Sequence, residues 1–106
     1  MILYTNLMPY RFQGYNLGPV TLIRPAFRDD KGLHAHEAVH RAQFFRNPFM
    51  GLWYVFSKKA RLKYEVEAFK AQLELAPWSL HIRASCLANH YGLGISIDEA
   101  VKLLSS

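Results

Sequence analysis

The positions of the five prolines set the first limit on this fold, because proline interrupts both helices and hydrogen-bonded strands. Pro9, Pro19 and Pro25 fall within the first 30 residues, among β-branched and aromatic side chains. Only Pro48 and Pro77 interrupt the rest of the chain. We therefore expect short strands near the N-terminus, followed by helices that end before Pro48 and Pro77.

Three short segments of the N-terminal region fit strands. They cover residues 2–5, 10–13 and 20–24, and the third is the richest in β-branched residues. Pro19 and Pro25 flank this third segment and cannot donate a hydrogen bond to a ladder, so we expect it near a sheet edge. The prediction is a short antiparallel sheet.

The remaining sequence predicts a bundle of about four helices, which makes the fold class α+β. Residues 29–32 are predicted to form a turn in which one of the two aspartates, Asp29 or Asp30, can cap the first helix. The helical segment that follows, from residue 33, contains neither proline nor glycine. The second helical stretch is expected to break near Ser57. Ser96 and Glu99 have the spacing of a capping box at the start of the last helix. The expected helices cover residues 33–46, 52–75, 79–91 and 97–104.

The apolar content is sufficient for one core without disulfides. Of the 106 residues 51% are hydrophobic, so we expect a single domain over residues 1–106. The single cysteine, Cys86, excludes an intrachain disulfide and a four-sulfur zinc site.

The longest apolar run, 49–56, is too short to span a bilayer, and the N-terminus does not resemble a secretory signal. We expect a soluble cytoplasmic protein without a membrane partner. The residues expected in an aromatic core are Trp53, Tyr54, Phe56, Tyr64 and Phe69.

The chain is basic, with a formal net charge of +5. By composition alone, this charge permits nucleic acid, anionic lipid or an acidic protein as a partner. The positive residues are dispersed and do not form a basic tail, so an ordinary solvated basic surface is the alternative.

The first predicted helix contains the sequence HEAVH at residues 36–40. Residues four apart lie one turn apart on the same helix face, so His36 and His40 can direct ring nitrogens to one metal ion. Glu37 lies about a hundred degrees around the helix, where its carboxylate can act as general base on water at that metal. Zinc suits imidazole and carboxylate ligands. The alternative is a solvated start of an amphipathic helix.

A zinc hydrolase site needs a third protein ligand, with a fourth position left for water. Glu65 shares one side of the second long helix with Ala68, Phe69 and Gln72, and the small Ala68 permits a close approach to the first helix. Glu67 points elsewhere and is expected at the surface, as is His34. The candidates that follow the HEAVH segment are Glu65, Glu67, Glu74, His81 and His90.

The two helices together resemble the gluzincin class of zinc metallopeptidases, in which an HExxH helix is followed by a helix that supplies a glutamate ligand. HEAVH at 36–40 and EVEAF at 65–69 carry the resemblance, since several gluzincin groups have the pattern Glu-x-x-Ala on the second helix. Over about residues 20–75 the chain is most similar to small HExxH proteins encoded by bacteriophages and to bacterial minimal gluzincins. The resemblance implies a zincin-like minimal core and a peptidase in the host cell cytoplasm. The implied zinc ligands are His36, His40 and Glu65, and the implied catalytic base is Glu37.

The sequence departs from the gluzincin pattern at Phe69, where many relatives carry an aspartate that hydrogen-bonds a ligand histidine. The residue that orients the histidines is therefore expected elsewhere. His81 and His90 stay open as third ligands, because some HExxH proteins that act on DNA-bound substrates use a third histidine. Peptide hydrolysis also needs a donor to the oxyanion. The candidates are Tyr64, Asn89, His90 and Tyr91.

Two functions of different classes follow from these patterns. The first is a zinc-dependent hydrolase, a metallopeptidase in which Glu37 deprotonates water that attacks a peptide carbonyl. If the strand at 20–24 borders the HEAVH helix, an extended peptide substrate can pair with its edge. The second is a non-enzymatic basic interaction protein that binds a host protein or nucleic acid on the same scaffold.

Overall fold

The protein is described by a computed structural model that covers residues 1–10 and 12–106. Within these residues the fold is α+β, with three strands and five α-helices. The strands are β1 (Ile2–Tyr4), β2 (Gly14–Leu17) and β3 (Val20–Ile23). The helices are α1 (Lys31–Arg46), α2 (Met50–Phe56), α3 (Lys58–Leu75), α4 (Leu80–His90) and α5 (Ile97–Ser105).

The sheet is mixed, so the prediction of an antiparallel sheet is wrong. The strand order is β1-β3-β2, and β3 pairs in parallel with β1 and antiparallel with β2. Leu22 of β3 lies opposite Leu3 on one side and Tyr15 on the other. The third predicted strand is therefore the central strand and not an edge. Pro19 and Pro25 lie just outside the paired residues, so neither removes a ladder hydrogen bond.

The strand expected at 10–13 lies elsewhere. The structure has it at Gly14–Leu17, and Arg11 falls outside the described residues. The preceding segment is held instead by the guanidinium of Arg24. Its Nε donates to the main-chain oxygen of Phe12 at 2.8 Å, and its terminal nitrogens donate to the carbonyls of Asn6 and Pro9 at 3.2 and 3.1 Å. Side-chain hydrogen bonds of this kind satisfy the backbone without a sheet.

The helix boundaries follow the local signals in the sequence. Asp30 caps α1, since its carboxylate accepts a hydrogen bond from the main-chain nitrogen of Leu33 at 3.0 Å. Ser57 ends α2 and its side chain caps α3, which confirms the predicted break. Ser96 and Glu99 form the predicted capping box of α5. Because the broken stretch counts as two helices, the described residues contain five helices and not about four.

Helix α3 lies between α1 and the C-terminal helices and uses two different faces. The side towards α1 is polar, and Ala68, fully buried there, permits the close approach of the two helices. Towards α4 and α5, Phe69 packs into an apolar core with residues of both helices. The buried residues of α3 are Glu65, Ala68, Phe69 and Gln72, the set expected to share a side.

The expected aromatic core is wrong for helix α2. Trp53 and Phe56 are exposed, Tyr54 is partly buried, and of the five expected residues Phe69 alone is fully buried. In the part of the chain that the structure describes, no helix combines the length and the hydropathy needed to cross a membrane.

Candidate metal centre

His36, His40 and Glu65 meet where α1 packs against α3. Nε2 of His40 lies 3.2 Å from Nε2 of His36 and 3.1 Å from Oε1 of Glu65. The third side of this triangle, from His36 Nε2 to Glu65 Oε1, measures 3.3 Å. All three side chains are buried. The three residues predicted as metal ligands therefore lie together, and each brings one possible ligand atom into the cluster.

The triangle of possible ligand atoms is spaced so that it could hold one metal ion. Zinc bonds of about 2.0 to 2.2 Å place tetrahedral ligand atoms about 3.3 to 3.6 Å apart. The distances of 3.1 to 3.3 Å between these atoms lie within a few tenths of an ångström of that spacing. Two imidazole nitrogens and one carboxylate oxygen form a donor set that zinc prefers. The residues present therefore fit a zinc ion.

The cluster attracts positive charge. Burial disfavours the charged form of His40, but the neighbouring Glu65 carboxylate outweighs burial and raises the pKa of His40 to about 9. Burial also acts to raise the pKa of Glu65, but His40 and His36 outweigh it and hold that pKa well below its usual range. The buried carboxylate of Glu65 thus needs a cation beside it, which can be a protonated histidine or a metal ion.

Gln43 determines which nitrogen of His40 faces the cluster. Its Nε2 donates to the main-chain oxygen of Tyr64 at 3.0 Å and to Oε1 of Glu67 at 2.7 Å. Its side-chain oxygen is then free to accept a hydrogen bond from Nδ1 of His40 at 2.9 Å. A neutral His40 with its proton on Nδ1 directs the Nε2 lone pair towards His36 and Glu65.

Gln43 supplies the orienting hydrogen bond for which the sequence indicated no particular residue. The ring of Phe69 instead packs edge-on against the ring of His36, with 4.4 Å between centroids. Gln43 lies three residues after His40 on the same helix face, and this spacing was the available signal. Glu67 is at the surface as predicted, but it also positions Gln43 and pairs with Arg46 at 3.0 Å.

Tyr54 holds the other oxygen of the Glu65 carboxylate. Its hydroxyl donates to Oε2 of Glu65 at 2.6 Å, which leaves Oε1 facing the imidazoles. Burial and the Glu65 charge raise the pKa of Tyr54 well above its usual range, so the hydroxyl stays a donor. From the sequence Tyr54 is predicted in the apolar core, and its hydrogen bond to Glu65 is not predicted. A contact between two helices leaves no periodic pattern in the sequence.

Glu37 lies buried beside the cluster. Its Oε1 is 3.9 Å from Nε2 of His36, and its Oε2 has no hydrogen-bond partner among the described residues. Burial is the strongest influence on Glu37 and raises its pKa. Gly14 of β2 leaves room for this side chain, because a Cβ there would lie 3.2 Å from Cγ of Glu37. A buried carboxyl group with a raised pKa in a cavity wall is a candidate for proton transfer.

A cavity of about 740 Å³ opens onto the cluster. Strand β2 and helix α2 form two of its walls, and His36, Glu37, His40 and Glu65 lie among its lining residues. Of the candidate oxyanion donors, His90 and Tyr91 also line this cavity. The side chain of Asn89 instead donates to Ser85, and Tyr64 contributes its main chain to Gln43.

The other histidines do not join the three-residue cluster. His34 places its Nε2 2.8 Å from the main-chain oxygen of Arg28, and His81 is exposed on α4. We looked for groups of three or more histidine, cysteine, aspartate or glutamate side chains that are spaced to hold a metal ion. Within residues 1–10 and 12–106, His36, His40 and Glu65 form the one such group. The alternative third ligands His81 and His90 are therefore not supported by the geometry.

Comparison of the chain with protein-family models, with curated proteins and with solved structures gave no match.

Proposed function

We propose that this protein is a zinc-dependent peptidase of the gluzincin type, built on a zincin-like minimal core. The observation that carries the proposal is the convergence of His36, His40 and Glu65 within 3.1 to 3.3 Å of one another, with Glu37 beside them. A zinc ion held by these three residues would supply a Lewis acid that lowers the pKa of water towards about 7. His40 and Glu65 would be presented to it by Gln43 and Tyr54.

Glu37 is the proposed proton carrier of the reaction. Its raised pKa, its unpartnered Oε2 and its place in the cavity wall support this role. As a carboxylate, Glu37 takes a proton from the water that attacks the peptide carbonyl. It then passes that proton to the nitrogen of the departing amine, so the residue ends the cycle ionised as it began. His90 and Tyr91 are the cavity residues from which we expect the donor to the oxyanion.

Strand β2 is the proposed binding edge for the peptide. It is an outer strand of the sheet and lines the cavity beside Glu37, whereas the central strand β3 has no open edge. An extended peptide can pair with the main chain of such an edge through backbone hydrogen bonds. The sequence predicts residues 20–24 as the strand that pairs with the peptide, whereas the proposed strand is β2.

Metal analysis and peptide hydrolysis test the proposal on the full chain. We expect one zinc per chain in the unmodified protein and in Glu37→Gln, which preserves size but cannot carry the proton. His36→Ala and Glu65→Ala should lose zinc. Of these four proteins, the unmodified one alone should cleave a peptide library, and chelation should abolish the cleavage.

Three outcomes would contradict the proposal. Stoichiometric zinc in Glu65→Ala would remove that residue from the ligand set. Cleavage by Glu37→Gln at the unmodified rate would exclude Glu37 as the proton carrier. Zinc binding without cleavage of any peptide would leave a metal-binding protein that is not a peptidase.

A further inference from the structure

Helix α2 and its N-cap residue expose an apolar stripe, which we define as Phe49, Leu52, Trp53 and Phe56. These residues are spaced at i, i+3, i+4 and i+7, so they lie on one face of the helix. In a globular protein a stripe with this spacing normally faces the core. Here the exposed fractions are 68%, 59%, 58% and 82%, respectively. The stripe therefore faces away from the rest of the chain.

The exposure follows from the way α2 is attached. On the opposite side of the helix Met50 is buried and Tyr54 is bonded to Glu65 at 2.6 Å. At the C-terminal end of α2, the guanidinium of Arg61 donates to the carbonyls of Tyr54 and Val55 at 2.8 and 3.2 Å. These contacts hold one side of α2 against the candidate metal centre. The helix cannot turn its stripe inwards without breaking them.

The stripe is large enough to indicate a binding surface. Four large apolar side chains that are each well over half exposed present on the order of 500 Å² to solvent. The largest apolar patch on a typical monomer is about 300 to 600 Å² and is often functional. The α2 stripe alone reaches that size. Trp78, which is 81% exposed, lies in the turn that follows α3 and does not belong to this stripe.

The charges around the stripe indicate the kind of surface it fits. Residues 38–64 contain no aspartate or glutamate. Lys58 and Lys59 are the first two residues of α3, separated from the end of the stripe by Ser57 alone, and both are exposed. A second copy of the chain carries the same formal net charge of +5, so the two copies would repel each other. A bilayer with anionic lipids offers both a boundary for apolar side chains and phosphates for the lysines. The cations within this segment are Arg41, Arg46, Lys58, Lys59, Arg61 and Lys63.

We propose that the α2 stripe docks the protein on the surface of an anionic lipid bilayer. Phe49, Leu52, Trp53 and Phe56 enter the boundary between headgroups and acyl chains, and Lys58 and Lys59 contact lipid phosphates. Docking of this kind needs no membrane-spanning segment, so it revises the sequence-based expectation of no membrane partner. The cavity lies on the opposite side of α2, and docking leaves it open. The proposal does not depend on the proposed peptidase activity.

The chain offers an internal reporter for a binding experiment. It contains two tryptophans, Trp53 in the stripe and Trp78 remote from it. Trp78→Phe leaves Trp53 as the only indole. We expect its emission to shift to shorter wavelength when the full-length protein meets vesicles of phosphatidylcholine with phosphatidylglycerol. With phosphatidylcholine alone the shift should be much smaller. Cosedimentation of the unmodified protein with the same vesicles measures the affinity.

Matched variants separate the stripe and the cations from general effects. Leu52→Ser/Phe56→Ser should weaken vesicle binding by at least about tenfold, because burying each such side chain favours the bound state. Trp78→Ser removes an equally large exposed residue and should bind as the unmodified protein does. Lys58→Glu/Lys59→Glu should weaken binding to anionic vesicles. Lys31→Glu/Lys102→Glu, with the same change in net charge at other exposed sites, should weaken it less.

Several results would overturn the proposal. One is equal binding to neutral and anionic vesicles, and another is no binding to either. Vesicle binding that Leu52→Ser/Phe56→Ser retains would also exclude the stripe. If that variant instead abolishes a concentration-dependent dimer seen by sedimentation, a second copy covers the stripe and the lipid proposal is wrong. Because the substituted residues are exposed, the variant should keep its circular dichroism spectrum and its Tm, which establishes that it folds.

Discussion

Replacing Gln43 by leucine tests whether the buried network behind His40 prepares the metal centre. The substitution keeps a side chain of similar volume at a fully buried position. It removes the acceptor 2.9 Å from Nδ1 of His40 and the donor 2.7 Å from Glu67. His40 then loses the bond that keeps the Nε2 lone pair directed at the cluster. We expect weaker zinc binding with all three proposed ligands still present.

The size of the effect follows from the contacts that are lost. Partners that orient a metal-bound histidine typically contribute 10- to 100-fold to metal affinity, which corresponds to about 1.4 to 2.8 kcal/mol. The orphaned Nδ1 of His40 is buried, so its desolvation adds about 1 to 3 kcal/mol to the cost of folding. Zinc affinity is measured by competition with a chromogenic chelator at neutral pH. Denaturant unfolding of the metal-free protein measures the stability loss separately.

Glu67→Gln is the matched control for this experiment. Its amide oxygen can still accept from Gln43, whereas the ion pair with Arg46 is lost at an exposed site. We expect its zinc affinity to stay within about twofold of the unmodified protein, because exposed ion pairs contribute about 1 kcal/mol or less. Gln43→Leu with unchanged zinc affinity would refute the role of Gln43 in orienting His40. A loss of stability without a loss of affinity would reduce Gln43 to a packing residue.

Four further predictions concern other contacts of the site. Tyr54→Phe removes the 2.6 Å hydrogen bond to Glu65 and should lower zinc affinity about tenfold, as measured by chelator competition. An unchanged affinity would mean that Glu65 binds zinc equally well without this hydrogen bond. Gly14→Ala places a methyl group 3.2 Å from Cγ of Glu37 and should displace that side chain. We expect the rate of peptide cleavage to fall about tenfold while the zinc content stays unchanged. Loss of zinc would mean that the substitution displaced the strand and not Glu37. His40 has a pKa of about 9 beside Glu65, so at pH 7 zinc must displace its proton, and calorimetry in two buffers should show release of about one proton per zinc. The same raised pKa stabilises the metal-free fold fully below pH 6.5, and this contribution should disappear in unfolding experiments as the pH rises through about 9. A metal-free protein whose stability is flat across that range would contradict the pairing of His40 with Glu65.

Local sequence signals account for much of the helical framework. Asp30, Ser57 and Ser96 each cap a helix where the sequence predicted a boundary, because capping depends on residues within one turn. The pairing of His36 with His40 on one face follows from the helix repeat alone. The shared side of α3 that carries Glu65 is predictable for the same reason. That these residues bind zinc stays a prediction.

Tertiary packing decided the features that no local pattern carries. The pairing of β3 on both sides, the bond from Tyr54 to Glu65 and the outward-facing stripe of α2 all depend on how separate segments meet. An apolar helix with regular spacing predicts a buried face but does not say what covers it. The sequence by itself thus determined where helices begin and end and which side chains share a face, since those are set by neighbours along the chain. Only the tertiary structure decided which faces meet, because that depends on the packing of the whole molecule.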